Sequence, residues 1–411
     1  MVNSHYVPKL TLKRFSDKLC LFNVQTGEYK ENVKIDNAFS ELGFYNDEIE
    51  DKLNKKIESQ FGNILSNKLL LADGTIELNR EELQLIKKFL LVSVIRSMGN
   101  EEFMQKEKKF YYDLNEYGKQ YAKLNGYEEE KIEPPFIEKE IEGETSFDYW
   151  MRTLNVILDT DGTPEKIMEH PDKTYPAHRW AMVIRAGYLA FWDSEYEHDE
   201  YIITDIGMTS ENEKGWNGII NHNWKKMDFL LKLMYDSKNK EEQMMIYQYM
   251  NMVSSFHENF QMFPISAKRM IVEISPFYKF RIINEKKYEM LDLKYLTNMA
   301  NENLYYPNDT KYVYSQKPNK PIKEHPNDKY IYDIKKLNSI ETSYCNELFF
   351  DRINTWVGFS SLDKAKNSLI GYYKANAYPY VPRVDYTELY RIINERYNAK
   401  IDLDLIERVR K

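Results

Sequence analysis

The sequence is poor in cysteine and has no long apolar run. Cys20 and Cys345 are the two cysteines in 411 residues, and they form neither a CxxC pair nor a disulfide framework, which favours a reducing compartment. No stretch of about 18 apolar residues occurs, so we expect no membrane span. The first ten residues lack the basic region and apolar run of a secretory signal peptide. These absences predict a cytoplasmic protein.

Signature motifs of several enzyme classes are also missing. The sequence contains no GxxxxGK[ST], GxSxG or GxGxxG motif, which disfavours an NTPase, an α/β-hydrolase and a classical Rossmann dehydrogenase. No HxH or HExxH motif occurs, and the adjacent residues His198, Asp199 and Glu200 are predicted to form a solvated acidic turn rather than a zinc site. No arginine precedes a histidine at the spacing of metal-free helical ribonucleases.

A restriction-type nuclease would carry an aspartate followed by an acidic-x-Lys pattern on a strand. Asp333 and Lys335 fit this pattern with Asp309 upstream, but Asp292 and Lys294 fit it equally well. Two unrelated matches in a chain with 65 acidic and 57 basic residues carry little information. We therefore interpret these charges as a solvated face.

What the sequence does contain is an ordinary balance of apolar and charged residues with many aromatic rings. Hydrophobic residues make up 42% and charged residues 30%, as in soluble globular proteins. The net charge is −8, so nucleic acid could be bound only through a local basic patch. The 33 tyrosines are best explained by an aromatic core with polar hydroxyl groups at its edge.

The order of predicted elements indicates the fold class. Two β-prone runs flank Gly27 and predict a hairpin, and apolar spacing predicts helices over 46–71 and from Asn79 to about 98. Asn79 followed by Glu82 has the spacing of a capping box. Further helices are expected at 101–125, with Thr145 or Ser146 as the cap of the next one, and at 224–260, with short strands between 188 and 274. We predict an α+β fold, predominantly α-helical, with an N-terminal β-hairpin and a small, mainly antiparallel sheet packed by long helices.

The domain organisation is predicted from one stretch rich in proline and lysine. Residues 317–329 contain Pro318, Pro321 and Pro326 among several lysines and form the best linker candidate. We expect a core domain over 1–316 and a helical C-terminal extension over 330–411.

Four residues are the candidate catalytic groups: His5, Glu58, Arg96 and Asp205. His5 precedes Pro8 and the apolar Leu12 and Phe15, so its segment is anchored rather than frayed. Glu58 follows Glu50 by eight residues on one face of a helix, and Arg96 is the last residue of an apolar run. Asp205 comes directly after a predicted strand.

Each candidate also has a plain structural explanation. Arg96 is placed to favour the C-terminal end of its helix, and the glutamates are placed to face solvent. Asp205 suits the start of a turn, and a single histidine such as His5 is more often a buried hydrogen-bonding group than a catalytic one. The two sets of interpretations predict different burial and different partners for the same residues.

Several segments resemble, in order, the bacterial domain-of-unknown-function family 4238. That family opens with a histidine-tyrosine-aliphatic-proline motif followed by leucine and phenylalanine, matched here by His5, Tyr6, Val7, Pro8, Leu12 and Phe15. Glu50 and Glu58 match its spaced glutamates, and Arg96 matches its helix-ending arginine. Its threonine-serine-aspartate-x-proline motif is matched only by Thr204 and Asp205. The sequences "FPIS" and "YVYS" are similar to its later motifs, and the resemblance covers about residues 3–316.

This resemblance implies a component of bacterial anti-phage defence. A histidine can transfer protons, an arginine can hold phosphate and carboxylates can position water or a divalent metal. If the four candidates converge, nuclease cleavage of phosphodiester bonds in RNA or DNA is the expected chemistry, with nucleic acid or a nucleotide as partner and a divalent metal as a possible cofactor. The alternative is a non-enzymatic sensor, or a protein that binds a partner protein of a defence or toxin–antitoxin system.

Overall fold

The structure is a computed structural model. It describes residues 3–97, 138–161, 164–210, 260–274, 310–313, 328–376 and 384–403, together with isolated positions between 105 and 126 and between 232 and 239. The expected helices at 101–125 and 224–260 lie almost wholly outside these residues.

The N-terminal part begins with two short strand pairs. Strand β1 (Asn3–His5) pairs antiparallel with β4 (Ser40–Leu42), and the short helix α1 (Lys9–Leu12) follows β1. The predicted hairpin is confirmed, because β2 (Lys18–Asn23) pairs antiparallel with β3 (Tyr29–Lys34). Its turn is held by the Asn23 side chain, whose Oδ1 accepts hydrogen bonds from the backbone N–H groups of Gln25 and Thr26.

The predicted helix after residue 46 is present but is not a regular α-helix. The helical run 47–69, called here the 47–69 helix, contains α2 (Asp47–Lys52) and α3 (Ser59–Ile64), each followed by a wider π-helical stretch. These stretches are Leu53–Glu58 and Leu65–Leu69. The Asn46 side chain caps the first turn by accepting a hydrogen bond from the Ile49 N–H group.

The following helices start at the capping residues that the sequence predicts. Asn79 and Glu82 exchange side-chain and backbone hydrogen bonds, both 2.9 Å long, at the start of α4 (Arg80–Ser97). Thr145 forms the same kind of capping box before α5 (Ser146–Asp159). Two more helices, α6 (Pro164–Glu169) and α7 (Tyr175–Ala186), complete this part.

The strands form two larger sheets. The strands of the first sheet are β5 (Thr75–Asn79), β6 (Tyr188–Ser194), β8 (Thr209–Ser210), β9 (Phe260–Pro264), β10 (Arg269–Ile274), β11 (Thr310–Val313) and β12 (Lys329–Leu337). Their order is β11–β12–β6–β10–β9–β8, with β5 also paired to β12. The second has the order β3–β2–β13–β7, which adds β7 (Ile203–Thr204) and β13 (Trp356–Phe359). Only β6 and β12 pair in parallel among these described strands.

Both faces of strand β10 in the first sheet are buried. In β10, Ile271 packs into the core formed with α4, α5 and α7, whereas Met270 and Val272 belong to a second core. The second core is closed by the helices α8 (Ser339–Asp351), α9 (Leu362–Asn376) and α10 (Thr387–Tyr397). Alternate residues of one strand therefore enter different cores, as the strand period of two requires. The α+β prediction, with mainly antiparallel sheets packed by helices, is confirmed.

The expected C-terminal extension shares sheets with the N-terminal part of the chain. The proposed linker 317–329 falls between β11 and β12, which are hydrogen-bonded neighbours. Strand β12 also pairs with β5 and β6, and β13 inserts between β2 and β7. Residues 330–359 thus supply strands to the same sheets that residues 18–210 build.

The segment predicted as a solvated acidic turn is in fact largely buried. Asp199 and Glu200 are 4% and 1% exposed, whereas His198 remains exposed. Asp199 accepts a 2.5 Å hydrogen bond from the Ser339 hydroxyl at the start of α8, and Glu200 accepts one of 2.8 Å from the Ser360 N–H group before α9. The prediction was wrong because negative charge at a helix N-terminus is stabilised by unpaired N–H groups.

Glu273 is a buried carboxyl group in the middle of β10. It is fully buried opposite Gln261 of β9, and neither carboxylate oxygen has a hydrogen-bond partner within the described ranges. A Cβ atom on Gly187 would lie 1.4 Å from Glu273 Oε1, so a larger residue there would require the Glu273 side chain to move. Burial raises the pKa of Glu273 to about 8, and the positive charge of Lys87 opposes this increase.

The raised pKa leads to a pH-dependent prediction for Glu273→Gln. A carboxyl group with a folded-state pKa near 8 and an ordinary unfolded-state pKa destabilises the fold progressively as pH rises from about 4.5 to 8. Glutamine does not titrate, so the free energy of unfolding of the variant, relative to that of the wild type, should increase by about 2 kcal/mol between pH 5 and pH 6.5. Urea denaturation at both pH values measures this difference. An equal offset at the two pH values would show that the carboxyl group does not titrate in this range.

Candidate active site

A cleft of about 730 Å³ lies between the N-terminal segment and the 47–69 helix. His5 and Arg96 line it together with side chains from both walls. One wall is basic and comes from the chain around α1. The opposite wall is acidic and comes from the 47–69 helix. The cleft therefore combines a histidine with charged side chains of both signs.

The basic wall consists of Lys9, Lys13 and Arg14. Pro8 directly precedes α1, and Lys9 and Lys13 are four residues apart, so a single helical turn places both on one side. Arg14 donates a 2.6 Å hydrogen bond to the Ser66 hydroxyl across the cleft, and Lys9 pairs with Asp36. Lys13 and Arg14 are exposed, so they are available to an anion entering from solvent.

The acidic wall repeats every four residues along the 47–69 helix. Glu50, Asn54, Glu58 and Gly62 all line the cleft at this spacing, with Asp47 and Asp51 near its start. In a regular α-helix, a spacing of four residues overshoots the 3.6-residue turn and drifts around the axis. The wider π-helical stretch Leu53–Glu58 reduces that drift. The irregular helix thus keeps the polar side chains on one line.

Arg96 holds the floor of the cleft together and is only 4% exposed. Its guanidinium donates to Glu58 Oε1 at 2.6 Å, to the Tyr45 hydroxyl at 3.2 Å and to the backbone carbonyl of His5. Burial alone would lower the pKa of Arg96, but Tyr45 and Glu58 outweigh it and hold that pKa above its ordinary value. Arg96 is therefore a buried, charged residue that links three parts of the chain, not a solvent-facing cation at a helix end.

His5 is the last residue of β1 and is partly buried. Its Nε2 lies 3.2 Å from the carbonyl oxygen of Ile35. A neutral ring that donates its Nε2 proton to this carbonyl keeps its lone pair on Nδ1. Because Arg96 binds the His5 carbonyl, both the backbone and the ring of His5 are fixed. This is the arrangement that a general base requires.

Asp205 does not belong to the cleft. Its carboxylate accepts hydrogen bonds from the backbone N–H groups of Asn354, Thr355 and Trp356 at 3.0, 2.6 and 3.1 Å. Burial raises the pKa of Asp205, and these three N–H groups oppose that increase. The prediction that Asp205 joins the other candidates is therefore wrong. Its carboxylate stabilises the backbone at the start of β13 and has the role of a turn-stabilising aspartate.

The structure brings His5, Glu58 and Arg96 together and adds three cations that the sequence interpretation missed. Lys9, Lys13 and Arg14 were visible in the opening segment as basic residues at helical spacing. Their importance could not be seen without the opposite wall, because isolated basic residues on a short helix usually only face solvent.

The acidic wall suggests a metal site, but the geometry does not support one. Within the residues that the structure describes, no group of three or more histidine, cysteine, aspartate or glutamate side chains is arranged to hold a metal ion. The carboxylates lie along a helix instead of converging on one point.

These features define an α+β protein with a charged cleft at its N-terminal edge. The chain belongs to the DUF4238 family, described as proteins of unknown function, whose sequence model matches residues 3–363. The match extends past residue 316, where the motifs found by inspection end, and includes β12 and β13. No curated protein and no solved structure matches the chain significantly. In the described part of the chain, no helix is long and apolar enough to cross a membrane.

Proposed function

We propose that this protein is a cytoplasmic effector of bacterial anti-phage defence that cleaves phosphodiester bonds in RNA or DNA, or a phosphoanhydride bond in a nucleotide. The observation that supports this chemistry is that His5 and the Arg96–Glu58 ion pair line the same cleft, which has a basic wall. The defence role rests on the family resemblance alone. Both cysteines are free, which agrees with a reducing compartment.

The proposed roles follow from the contacts of each group. Lys13 and Arg14 bind the phosphate and stay close as negative charge builds up on it. The attacking hydroxyl gives its proton to His5 Nδ1 while its oxygen bonds phosphorus. The bond from phosphorus to the leaving oxygen then breaks, that oxygen takes a proton from water, and the hydroxide left behind removes the proton from His5. Glu58 and Arg96 keep His5 in place, and no step uses a metal.

The non-enzymatic alternative keeps some support. Each contact of His5 and Arg96 given above is made to another part of the same chain, as expected of groups that only hold the fold together. In that case the cleft would bind a signal molecule or a segment of a partner protein of a defence or toxin–antitoxin system. Substitution of His5 would then lower stability without removing a catalytic signal.

The basic wall offers the first test of the cleavage proposal. The double variant Lys13→Glu/Arg14→Glu should lower kcat/KM on labelled RNA or DNA by about tenfold or more, because each charge-assisted contact to phosphate is lost. Cleavage is measured with purified protein at 50 mM and 300 mM salt, and the loss should be smaller at high salt, where charges are screened. Growth arrest or phage resistance in cells should fall in parallel.

The matched control is Lys18→Glu/Lys34→Glu. These exposed lysines face each other on the β2–β3 hairpin, and they do not line the cleft. The control changes the net charge by the same amount and should leave cleavage unchanged. Equal losses in both double variants would point to overall charge instead of the cleft, and an absence of cleavage by the wild type on every substrate would refute the proposal.

A further inference from the structure

We infer that the cleft takes a free nucleotide, with its phosphates on the basic wall and a hydrogen-bond donor of its sugar or base on Glu50. The inference narrows the substrate of the cleavage proposed above and rests on that proposal for its link to catalysis. It concerns which part of the cleft receives which part of the ligand.

The first support is the separation of charge across the cleft. Lys9, Lys13 and Arg14 form one wall, whereas Asp47, Glu50, Asp51 and Glu58 line the other. A nucleic acid chain carries a phosphate on every residue, so a chain crossing this cleft would bring phosphates against carboxylates. A free nucleotide carries its phosphates at one end and its sugar hydroxyls and base amino groups at the other. Its polarity matches that of the cleft.

The second support is a carboxylate oxygen of Glu50 that has no partner. Glu50 Oε1 is buried and forms no hydrogen bond among the residues described, although Glu50 lines the cleft. A buried acceptor without a donor is unfavourable, and a ligand that supplies the donor removes that penalty. Glu50 also lies close enough to Tyr45 to add to the effect of burial, which raises the pKa of Tyr45 to about 12. Glu50 therefore lies near Tyr45, whose hydroxyl accepts a hydrogen bond from Arg96 at the floor of the cleft.

The third support is size. A volume of about 730 Å³ lies within the range of pockets that enclose one small organic ligand. Single-stranded nucleic acid is usually bound along an extended basic groove with aromatic platforms for several bases. Among the side chains that line this cleft, none is aromatic apart from the His5 ring.

The test compares a nucleotide with the inorganic anion that mimics only its phosphates. Isothermal titration calorimetry measures the affinity of the full chain for ATP, GTP, CTP, UTP and inorganic pyrophosphate. Glu50→Gln should weaken nucleotide binding by about fivefold, since a neutral acceptor replaces a charged one. The same variant should bind pyrophosphate at least as tightly as the wild type, because one repelling carboxylate is gone.

Two further variants keep the experiment decisive. Glu81→Gln, an exposed glutamate outside the cleft, is the matched control and should change neither affinity. Lys13→Glu changes an exposed residue, so the fold should tolerate it, and it should weaken nucleotide and pyrophosphate binding alike by about tenfold. Thermal unfolding of each variant establishes that the chain is folded.

The outcomes separate this inference from the cleavage proposal. Equal weakening of nucleotide and pyrophosphate by Glu50→Gln would overturn it, as would tighter binding of a ten-nucleotide single-stranded RNA than of any free nucleotide. Cleavage of RNA without measurable nucleotide binding would also overturn it while leaving the cleavage proposal intact. Binding as expected without cleavage of any substrate would support the inference and refute the cleavage proposal.

Discussion

His5→Gln should lower the rate of phosphodiester cleavage by about 10²–10⁴-fold, the range that a general base contributes. Glutamine can still donate an amide hydrogen to the Ile35 carbonyl, which His5 Nε2 approaches at 3.2 Å, so the local structure should persist. It cannot accept and return a proton near neutral pH, so the chemical step should be lost. Single-turnover cleavage by purified protein measures the effect, and growth arrest on expression gives a second readout.

The comparison variant for His5 is His198→Gln. His198 is 62% exposed at the side chain and lies outside the cleft, so its substitution should leave cleavage unchanged. The free energy of unfolding of His5→Gln should lie within about 1 kcal/mol of the wild type, because one neutral hydrogen bond replaces another. A large loss of stability with cleavage per folded molecule unchanged would contradict the general-base role and favour the sensor alternative.

Arg96→Met should lower the free energy of unfolding by about 3–5 kcal/mol, the usual cost of removing one partner of a buried ion pair. The substitution leaves the Glu58 carboxylate, the Tyr45 hydroxyl and the His5 carbonyl without the guanidinium that joins them. Methionine fills similar space, so the loss reports the polar contacts. Urea denaturation followed by circular dichroism measures it.

A double-mutant cycle tests the physical cause of that loss. Arg96→Met/Glu58→Gln should be more stable than Arg96→Met alone, because the uncompensated carboxylate is removed. Arg391→Met is the control, since Arg391 pairs with Glu388 on the surface with both side chains close to half exposed, and its loss should cost less than 1 kcal/mol. A loss of similar size at both arginines would show that the Arg96 contacts are not specially stabilising.

The sequence was most informative where structure depends on neighbouring residues. The hairpin around Gly27, the capping box at Asn79 and the helix start near Thr145 were predicted from a few adjacent residues, because a turn or cap is stabilised by side-chain bonds to nearby backbone. The anchoring of His5 was predicted for the same reason. Pro8, Leu12 and Phe15 follow it directly, and all three are buried.

The sequence was misleading where a charge is satisfied by a distant partner. Asp205 was expected in the site and Glu200 on the surface. The partners of Asp205 lie at 354–356 and those of Glu200 at 360–361, about 150–160 positions further along the chain. No pattern among neighbouring residues indicates a hydrogen-bond partner so far along the chain. The same limit hid the basic wall, because Lys13 and Arg14 become part of a site only opposite the 47–69 helix.

By itself, the sequence determined the α+β class, the capped helices and three of the residues that line the cleft, His5, Glu58 and Arg96. These features follow from apolar periodicity and local hydrogen bonds, which depend on residues close together in the chain. Only the tertiary structure decided that Arg96 is buried and fully engaged, that Asp205 stands apart and that residues 329–359 complete the sheets of the core. Those outcomes depend on which distant groups meet when water is excluded, since burial makes an unpaired charge too costly to leave alone.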